Sequence, residues 1–330
     1  MEEAIRKIDG GVCAAQGFQA SAVSCGIKKP GSPKLDLALI YSKKPSHGAG
    51  FFTKNAVKAA PVVLCQSFLK EVTPRAILAN SGNANACTGP QGMEDARTMA
   101  DRAAKGLGIR RREVLVCSTG IIGMPLAMDR LEKGFPGVID GLADDGSTKA
   151  AEAIMTSDTK PKSYAVEFEI EGQTVRIGGI AKGAGMINPN MATMLCFITT
   201  DAVVSNAELK AASRKAVGAS FNRISIDGDM STNDSVLILA NGAAKNPKIK
   251  LRRDGSAQFR KALNRVMVEL ARKIVSDGER VTKLVEVCVK GAASATDAEK
   301  VARAVSNSKL VKCSWNGEDP NWGRIIHAVG

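Results

Sequence analysis

Two rhythms of apolar residues run through this chain. Short runs that are continuously apolar or that alternate with polar residues predict strands at residues 35–41, 76–79, 114–117, 164–170, 174–177, 194–199 and 236–239. Between several of them, apolar residues recur every three to four positions, the spacing of a helix with one buried face. In residues 93–105 that face carries Ala96, Met99, Ala100 and Ala103. Phe259, Ala262, Leu263, Val266, Met267, Leu270, Ala271 and Ile274 fall on one face of a longer helix. Residues 206–217 follow Ser205, with Glu208 three positions on, a capping-box signature. Strands interleaved with helices predict an α/β architecture built on mixed sheets. Periodicity alone does not choose among α/β folds.

The pattern changes near residue 283. Val285, Val287 and Val289 alternate with Glu286, Cys288 and Lys290, which predicts a strand with one buried face. Thr296-Asp297-Ala298-Glu299 reads as a capping box opening a helix that turns Ala298, Val301, Ala302 and Val305 inward. Residues 310–314 predict a further strand, and the last residues lie inside a helical pattern. The expected organisation is a main domain over residues 1–282 and a small α+β unit over 283–330.

Composition narrows the class. The chain has 330 residues, enough for a large core, and 44% apolar with 24% charged residues is the balance of a soluble globular protein. No apolar run approaches the roughly 18 residues of a membrane span, and the acidic start lacks a signal-peptide core. Eight cysteines without a C-x-x-C pair point to reduced thiols in a cytoplasmic protein rather than to disulfides or zinc. Two histidines exclude a multi-histidine metal site, and His47, in a polar stretch, reads as a solvated loop residue. The net charge of +13, concentrated in residues 245–273, raises a nucleic-acid surface as an alternative. Aromatic content of 4% leaves few platforms for base stacking. The basic residues there mostly occupy the polar face of the long helix, so a solvated helix face is the better reading. The charge also favours encounter with acidic substrates.

The candidate chemistry centres on residues 182–195, Lys-Gly-Ala-Gly-Met-Ile-Asn-Pro-Asn-Met-Ala-Thr-Met-Leu. A Gly-rich, Pro-containing loop runs into Thr193, which opens an apolar run. A cut before Thr193 would make it an N-terminal residue whose hydroxyl attacks while its own amine takes the proton. From spacing alone, a loop entering a buried strand accounts for the same residues. Residues 117–120, Cys-Ser-Thr-Gly, follow an apolar run and place small residues where a strand ends. Such a turn suits an oxyanion hole, and equally an ordinary strand end. Asn83 and Asn85 lie in an amide-rich loop of the kind that satisfies its own backbone. Asp227-Gly228-Asp229 with Ser231-Thr232-Asn233-Asp234 lacks the spacing and the Glu of an EF-hand loop and reads as a turn network.

Residues 182–195 closely resemble the self-cleavage motif of the ornithine acetyltransferase family, the glutamate N-acetyltransferases of arginine biosynthesis. The resemblance extends in order along the chain: residues 51–55 with 59–62, 80–89, 118–120, 154–159, 227–234 and 319–324. It implies a four-layer α-β-β-α sandwich. It implies cleavage between Ala192 and Thr193, with Thr193 as nucleophile and Thr119 and Gly120 as the oxyanion hole. It assigns substrate contacts to Thr156, Lys182, Thr193 and Glu279: Lys182 to a carboxylate and Glu279 to an ornithine-type ammonium. The activity implied is acetyl transfer from N2-acetyl-L-ornithine to L-glutamate through an acetyl-threonine, with acetyl-CoA a further donor in some relatives. The two cleaved chains would remain together in an α2β2 assembly, with no dissociable cofactor, metal, nucleic-acid or membrane partner. The alternatives are an N-terminal-nucleophile aminopeptidase or amidohydrolase of similar fold, and a non-catalytic truncated paralogue.

The chain departs from the family in two ways. Arg280 and Val281 stand where glycine and alanine are usual, beside Glu279, and Ser157 replaces a threonine. Family members also continue for several dozen residues past this point. The resemblance therefore implies an incomplete C-terminal unit that exposes apolar surface unless a partner covers it.

Overall fold

All seven strands predicted before residue 283 are present, joined by three that the pattern did not mark. The computed structural model describes residues 5–71, 73–187, 194–251 and 255–330. In chain order the strands are β1 (Arg6–Ile8), β2 (Phe18–Val23), β3 (Leu37–Ser42), β4 (His47–Phe52), β5 (Ala76–Asn83), β6 (Val114–Ile121), β7 (Lys162–Ile170), β8 (Gln173–Lys182), β9 (Leu195–Thr200) and β10 (Ser235–Ala240). They form a six-stranded sheet in the order β1-β7-β8-β9-β10-β4 and a four-stranded sheet in the order β2-β3-β5-β6. Both are mixed: β9 and β10 run parallel, as do β5 and β6, and the remaining neighbours are antiparallel.

The two sheets face each other, and the strands between them are buried on both faces. In β9, Leu195 and Phe197 join the core shared with the four-stranded sheet, while Cys196 and Ile198 join the core on the other side. In β10, Leu237 and Leu239 alternate in the same way with Val236 and Ile238. A strand covered on both faces needs no polar face, which is why these runs are continuously apolar. Helices α5 (Asn206–Ala219) and α6 (Ser256–Val275) cover the outer face of the six-stranded sheet. Helices α1 (Ala60–Glu71), α2 (Gly89–Leu107) and α3 (Met128–Asp140) cover the four-stranded sheet, and α4 (Ser147–Ala153) packs against β2 and β3. The result is the four-layer α-β-β-α sandwich.

The eight apolar residues predicted on one face of α6 are all buried, so the basic residues of that helix lie on its solvent side. The capping box at α5 forms by half. Ser205 Oγ accepts the Glu208 N–H at 3.2 Å, but the Ser205 N–H goes to Ile249 O. The buried Glu208 carboxylate instead accepts from Arg260 at 2.6 and 2.7 Å and from Ser256 at 2.9 Å, tying α5 to α6. His47 is the first residue of β4 rather than a loop residue. That strand escaped the sequence pattern because two of its six residues are glycines. A Cβ at Gly50 would sit 2.4 Å from Leu69 Cδ1, so the strand gives up side chains to let α1 approach.

Beyond residue 280 the predicted strands are not found. Residues 281–290 belong to no helix or strand and are mostly exposed, so the valine alternation there is not used. Residues 310–314 lie within a helix, α8 (Lys309–Asn316), whose start is fixed by Ser308 Oγ accepting the Val311 N–H. The preceding helix, α7 (Ala295–Asn307), is capped by Ser294, two residues before the predicted Thr296. With α9 (Trp322–Val329), this region is helical, not α+β, among the described residues. Apolar surface is exposed there: Trp322 is 75% and Ile326 61% accessible.

The strand pair β5–β6 carries the irregularity that matters most for function. Its parallel register runs evenly from Ala76–Val114 to Gly82–Gly120, then shifts at Asn83, which pairs with both Thr119 and Ile121. Gly120 has φ +137°, and a Cβ there would lie 2.3 Å from the Gly82 carbonyl carbon. Gly123, with φ +82°, has open space around it. Gly120→Ala should therefore cost about 3 kcal/mol, from backbone collision plus strain, against about 1 kcal/mol for Gly123→Ala from strain alone. Urea unfolding of the two variants checks this. Equal losses would show that close approach at Gly120 is not the constraint.

Candidate active site

Strand ends from both sheets meet at one end of the sandwich. There Thr119 and Gly120 lie in the last residues of β6, and β8 finishes with Lys182. Lys182 pairs with Leu195, the first residue of β9, and Leu195 pairs with Ser235, the first of β10. Lys162, the first residue of β7, pairs with Ala181. Thr156 lies in the turn after α4, and Glu279 lies just beyond α6.

Lys182 is the hub. Its side chain is 5% exposed, yet it carries an ammonium with three hydrogens to place. Nζ donates to Thr156 Oγ1 at 2.7 Å and to Thr119 Oγ1 at 3.2 Å, and it lies 3.9 Å from Asp158 Oδ2. Burial lowers the Lys182 pKa, and the Asp158 carboxylate opposes that shift. Because both threonine oxygens accept from Lys182, their own O–H groups remain free to donate elsewhere. A hydroxyl whose oxygen is held by an ammonium is a stronger donor, the property an oxyanion hole needs.

A second set of charges holds the hub in place. Asp158 Oδ1 accepts from the Gly183 N–H at 2.7 Å and from Lys162 Nζ at 2.6 Å, while Oδ2 accepts from the Thr156 N–H at 3.0 Å. Burial pushes the Asp158 carboxyl up, but Lys182 and then Lys162 outweigh it and leave the group below the usual range. Lys162 Nζ also donates to Asp277 Oδ2 at 2.6 Å. Asp277 in turn accepts the N–H groups of Thr159 at 3.0 Å and Lys160 at 3.2 Å, and the Thr159 hydroxyl. Glu279, two residues on, donates its N–H to Ala184 O at 3.1 Å. Its carboxylate lies against the Gly-rich loop: a Cβ on Gly185 would be 3.0 Å from Glu279 Oε1.

Of the predicted site residues, the structure thus brings Thr119, Thr156 and Lys182 into direct contact and sets Glu279 on the adjoining loop. Gly120 sits at the register shift beside Thr119. Ala192 and Thr193 lie outside the described residues. Their flanks are anchored on both sides. Before them, the N–H groups of Met186 and Ile187 donate to Asp227, which also accepts from Asp229 N. After them, Met194 N–H donates to Asp234 Oδ1 at 2.8 Å, and Ser235 N donates to Met194 O at 3.0 Å. The Asp227–Asp234 segment therefore works as a turn network, as its sequence suggested. The asparagine loop does the same: Asn83 Oδ1 accepts from the Asn85 N–H at 2.8 Å, an Asx turn. Arg280, where the family places glycine, has φ +54°, a left-handed backbone that an arginine adopts under strain.

Sequence reasoning missed Lys162, Asp158, Asp277 and Asp234 as site residues. The first three were discoverable only as charged residues at strand or helix ends next to predicted contacts. Asp234 is 3% exposed, and burial pushes its carboxyl well above the usual range, beside the backbone that follows Thr193. Nothing local in the sequence distinguishes these four from solvated turn residues.

Comparison with known proteins shows the family. The model of the ArgJ family matches residues 19–330. The arginine biosynthesis bifunctional protein ArgJ of Symbiobacterium thermophilum is 54% identical over 324 residues, covering 97% of this chain and 80% of that protein. The solved structure of an ornithine acetyltransferase from Mycobacterium tuberculosis, complexed with ornithine, is 40% identical, with a TM-score of 0.52. It is matched over 58% of this chain and 100% of that one. An L-aminopeptidase D-Ala-esterase/amidase from Ochrobactrum anthropi, 11% identical with a TM-score of 0.50 over 80% of this chain and 85% of that one, shares the fold alone. A buried lysine joining two threonines at the meeting point of two sheets, and a family match over almost the whole length, lead to one conclusion: this chain belongs to the ArgJ family.

Proposed function

We propose that the chain cleaves itself between Ala192 and Thr193 and then transfers an acetyl group from N2-acetyl-L-ornithine to L-glutamate, a step of arginine biosynthesis. The observation that carries this reading is the junction of Lys182, Thr119 and Thr156 at the strand end facing β9, which begins two residues after Thr193.

For cleavage, the Thr193 hydroxyl attacks the Ala192 carbonyl. The peptide nitrogen leaves as the Thr193 amine, and water opens the resulting ester. The two chains need no further link to stay together. The bond lies between β8 and β9, which are hydrogen-bonded neighbours buried in one sheet. We propose that they assemble further into an α2β2 heterotetramer.

For transfer, the Thr193 amine, with an ordinary pKa of about 8, is substantially neutral under cell conditions and accepts the hydroxyl proton. The hydroxyl attacks the acetyl carbonyl of the donor, and the Thr119 hydroxyl and Gly120 N–H stabilise the negative charge that develops on oxygen. The ornithine amine leaves with a proton. The glutamate amine then attacks the acetyl-Thr193 ester, and Thr193 regains its hydrogen. Lys182 holds the amino-acid carboxylate and Thr156 assists it. Glu279, exposed at the pocket edge, receives the ornithine ammonium. We propose acetyl-CoA as a second donor, since Thr193 needs only an acyl carbonyl.

Denaturing mass spectrometry should show chains of residues 1–192 and 193–330, with an added acetyl group on the second after incubation with acetylornithine. Thr193→Ala should give one intact chain, and cleavage in that variant would refute the assignment of the nucleophile. Thr119→Val keeps the side chain's shape but removes the hydroxyl. It should lower kcat about 100-fold, the typical worth of one oxyanion donor. Product analysis separates transfer from hydrolysis: a transferase forms N-acetylglutamate when glutamate is added, whereas acetate released at the same rate with or without glutamate would favour an amidohydrolase.

A further inference from the structure

Lys162 is buried, with a side chain 2% exposed, and it bridges two carboxylates, Asp158 at 2.6 Å and Asp277 at 2.6 Å. Placing three charges in the interior is costly, and apolar residues of similar volume often stabilise such a site as well or better. The position of the bridge suggests what it does instead. Asp158 stands two residues after Thr156 and holds the N–H groups of both Thr156 and Gly183, on either side of Lys182 in the pocket. Asp277 stands two residues before Glu279 and holds the 159–160 turn. The carboxylate-binding end and the ammonium-binding end of the pocket are thus carried on separate segments, one on β8 and the 156–158 turn, the other after α6. Lys162 is bonded to both.

We infer that the Asp158–Lys162–Asp277 bridge is a positioning device that sets the distance between Lys182 and Glu279, and with it the donor side chain the enzyme accepts. The inference rests on the acetylornithine reading above. Four charges near one another, Lys182, Asp158, Lys162 and Asp277, sum to zero, so removing Lys162 and Asp277 together leaves the Lys182–Asp158 pair balanced. Removing Lys162 alone leaves two buried carboxylates against one ammonium. The joint change removes the ionic link between the Glu279 segment and the Asp158 turn but keeps Asp158 on Thr156 and Gly183.

The test uses the full chain and two donors of equal side-chain length, N2-acetylornithine and N2-acetylnorleucine, in the second of which a methyl group replaces the terminal amine. The double variant Lys162→Met/Asp277→Asn should still cleave itself. Its preference for acetylornithine, as a ratio of kcat/KM values, should fall about tenfold, the equivalent of about 1.4 kcal/mol. The fall should arise from a higher KM for acetylornithine with kcat little changed. Lys162→Met alone should lose the same preference and unfold at lower urea. Glu208→Ala breaks a separate ion pair built on a buried carboxylate, between α5 and α6, and is the control: it should lower the urea midpoint and leave the donor preference unchanged. An unaltered preference in the double variant, or an equal loss for both donors, would overturn the inference. So would failure of both Lys162 variants to fold, which would make the bridge a folding element. Wild-type protein that takes acetyl from neither donor would strike down the acetylornithine reading itself, and the inference with it.

Discussion

The end of the sandwich where the site lies is organised by one requirement: buried charge must be neutralised. Lys182 cannot remain an ammonium in a nearly water-free environment without acceptors and a counter-charge. Thr119 and Thr156 supply acceptors, and Asp158 supplies the charge. Asp158 is itself buried and draws in Lys162, which draws in Asp277. Each group is placed by the need of the one before it. The chain of contacts therefore connects the end of β6, the turn after α4, the start of β7, the end of β8 and the segment after α6 into one rigid constellation.

The two-sheet sandwich makes that constellation possible. β8, β9 and β10 are buried on both faces, so their ends are held by packing from either side and move little relative to one another. The two sheets bring different things. The four-stranded sheet contributes Thr119, next to the register shift at Asn83. The six-stranded sheet contributes Lys182 and the strand that follows Thr193. Asn233 links them directly, donating to Ala84 O at 2.6 Å and Ser118 O at 2.8 Å. This joint ties the strand ends of the two sheets together at the candidate site.

The arrangement also separates what stabilises the fold from what serves chemistry. The Glu208–Arg260 pair joins two helices on the outer layer and touches no candidate site residue. The Asp158–Lys162–Asp277 bridge is of the same chemical kind but lies between the segments that carry Thr156 and Glu279. Arg280 adds a bulky, charged side chain on a strained backbone next to Glu279, at the edge of the candidate site.

By itself the sequence determined the periods: seven strands, the buried faces of α2 and α6, and the α/β class all follow from apolar spacing, because burial acts residue by residue along a regular backbone. The resemblance to a family, carried by short motifs, named Thr119, Gly120, Thr156, Lys182, Thr193 and Glu279. Only the tertiary structure decided which charges complete the site, because Lys162 and Asp277 meet across 115 positions of sequence and no local pattern records that pairing. The same reason explains the misses. The valines at 285–289 alternate as a strand would, but a strand exists only with a neighbour to accept its hydrogen bonds, and residues 310–314 form a helix once Ser308 caps them. β4 is a strand in spite of Gly48 and Gly50, because pairing with β10 and close packing of α1 supply what its own side chains do not.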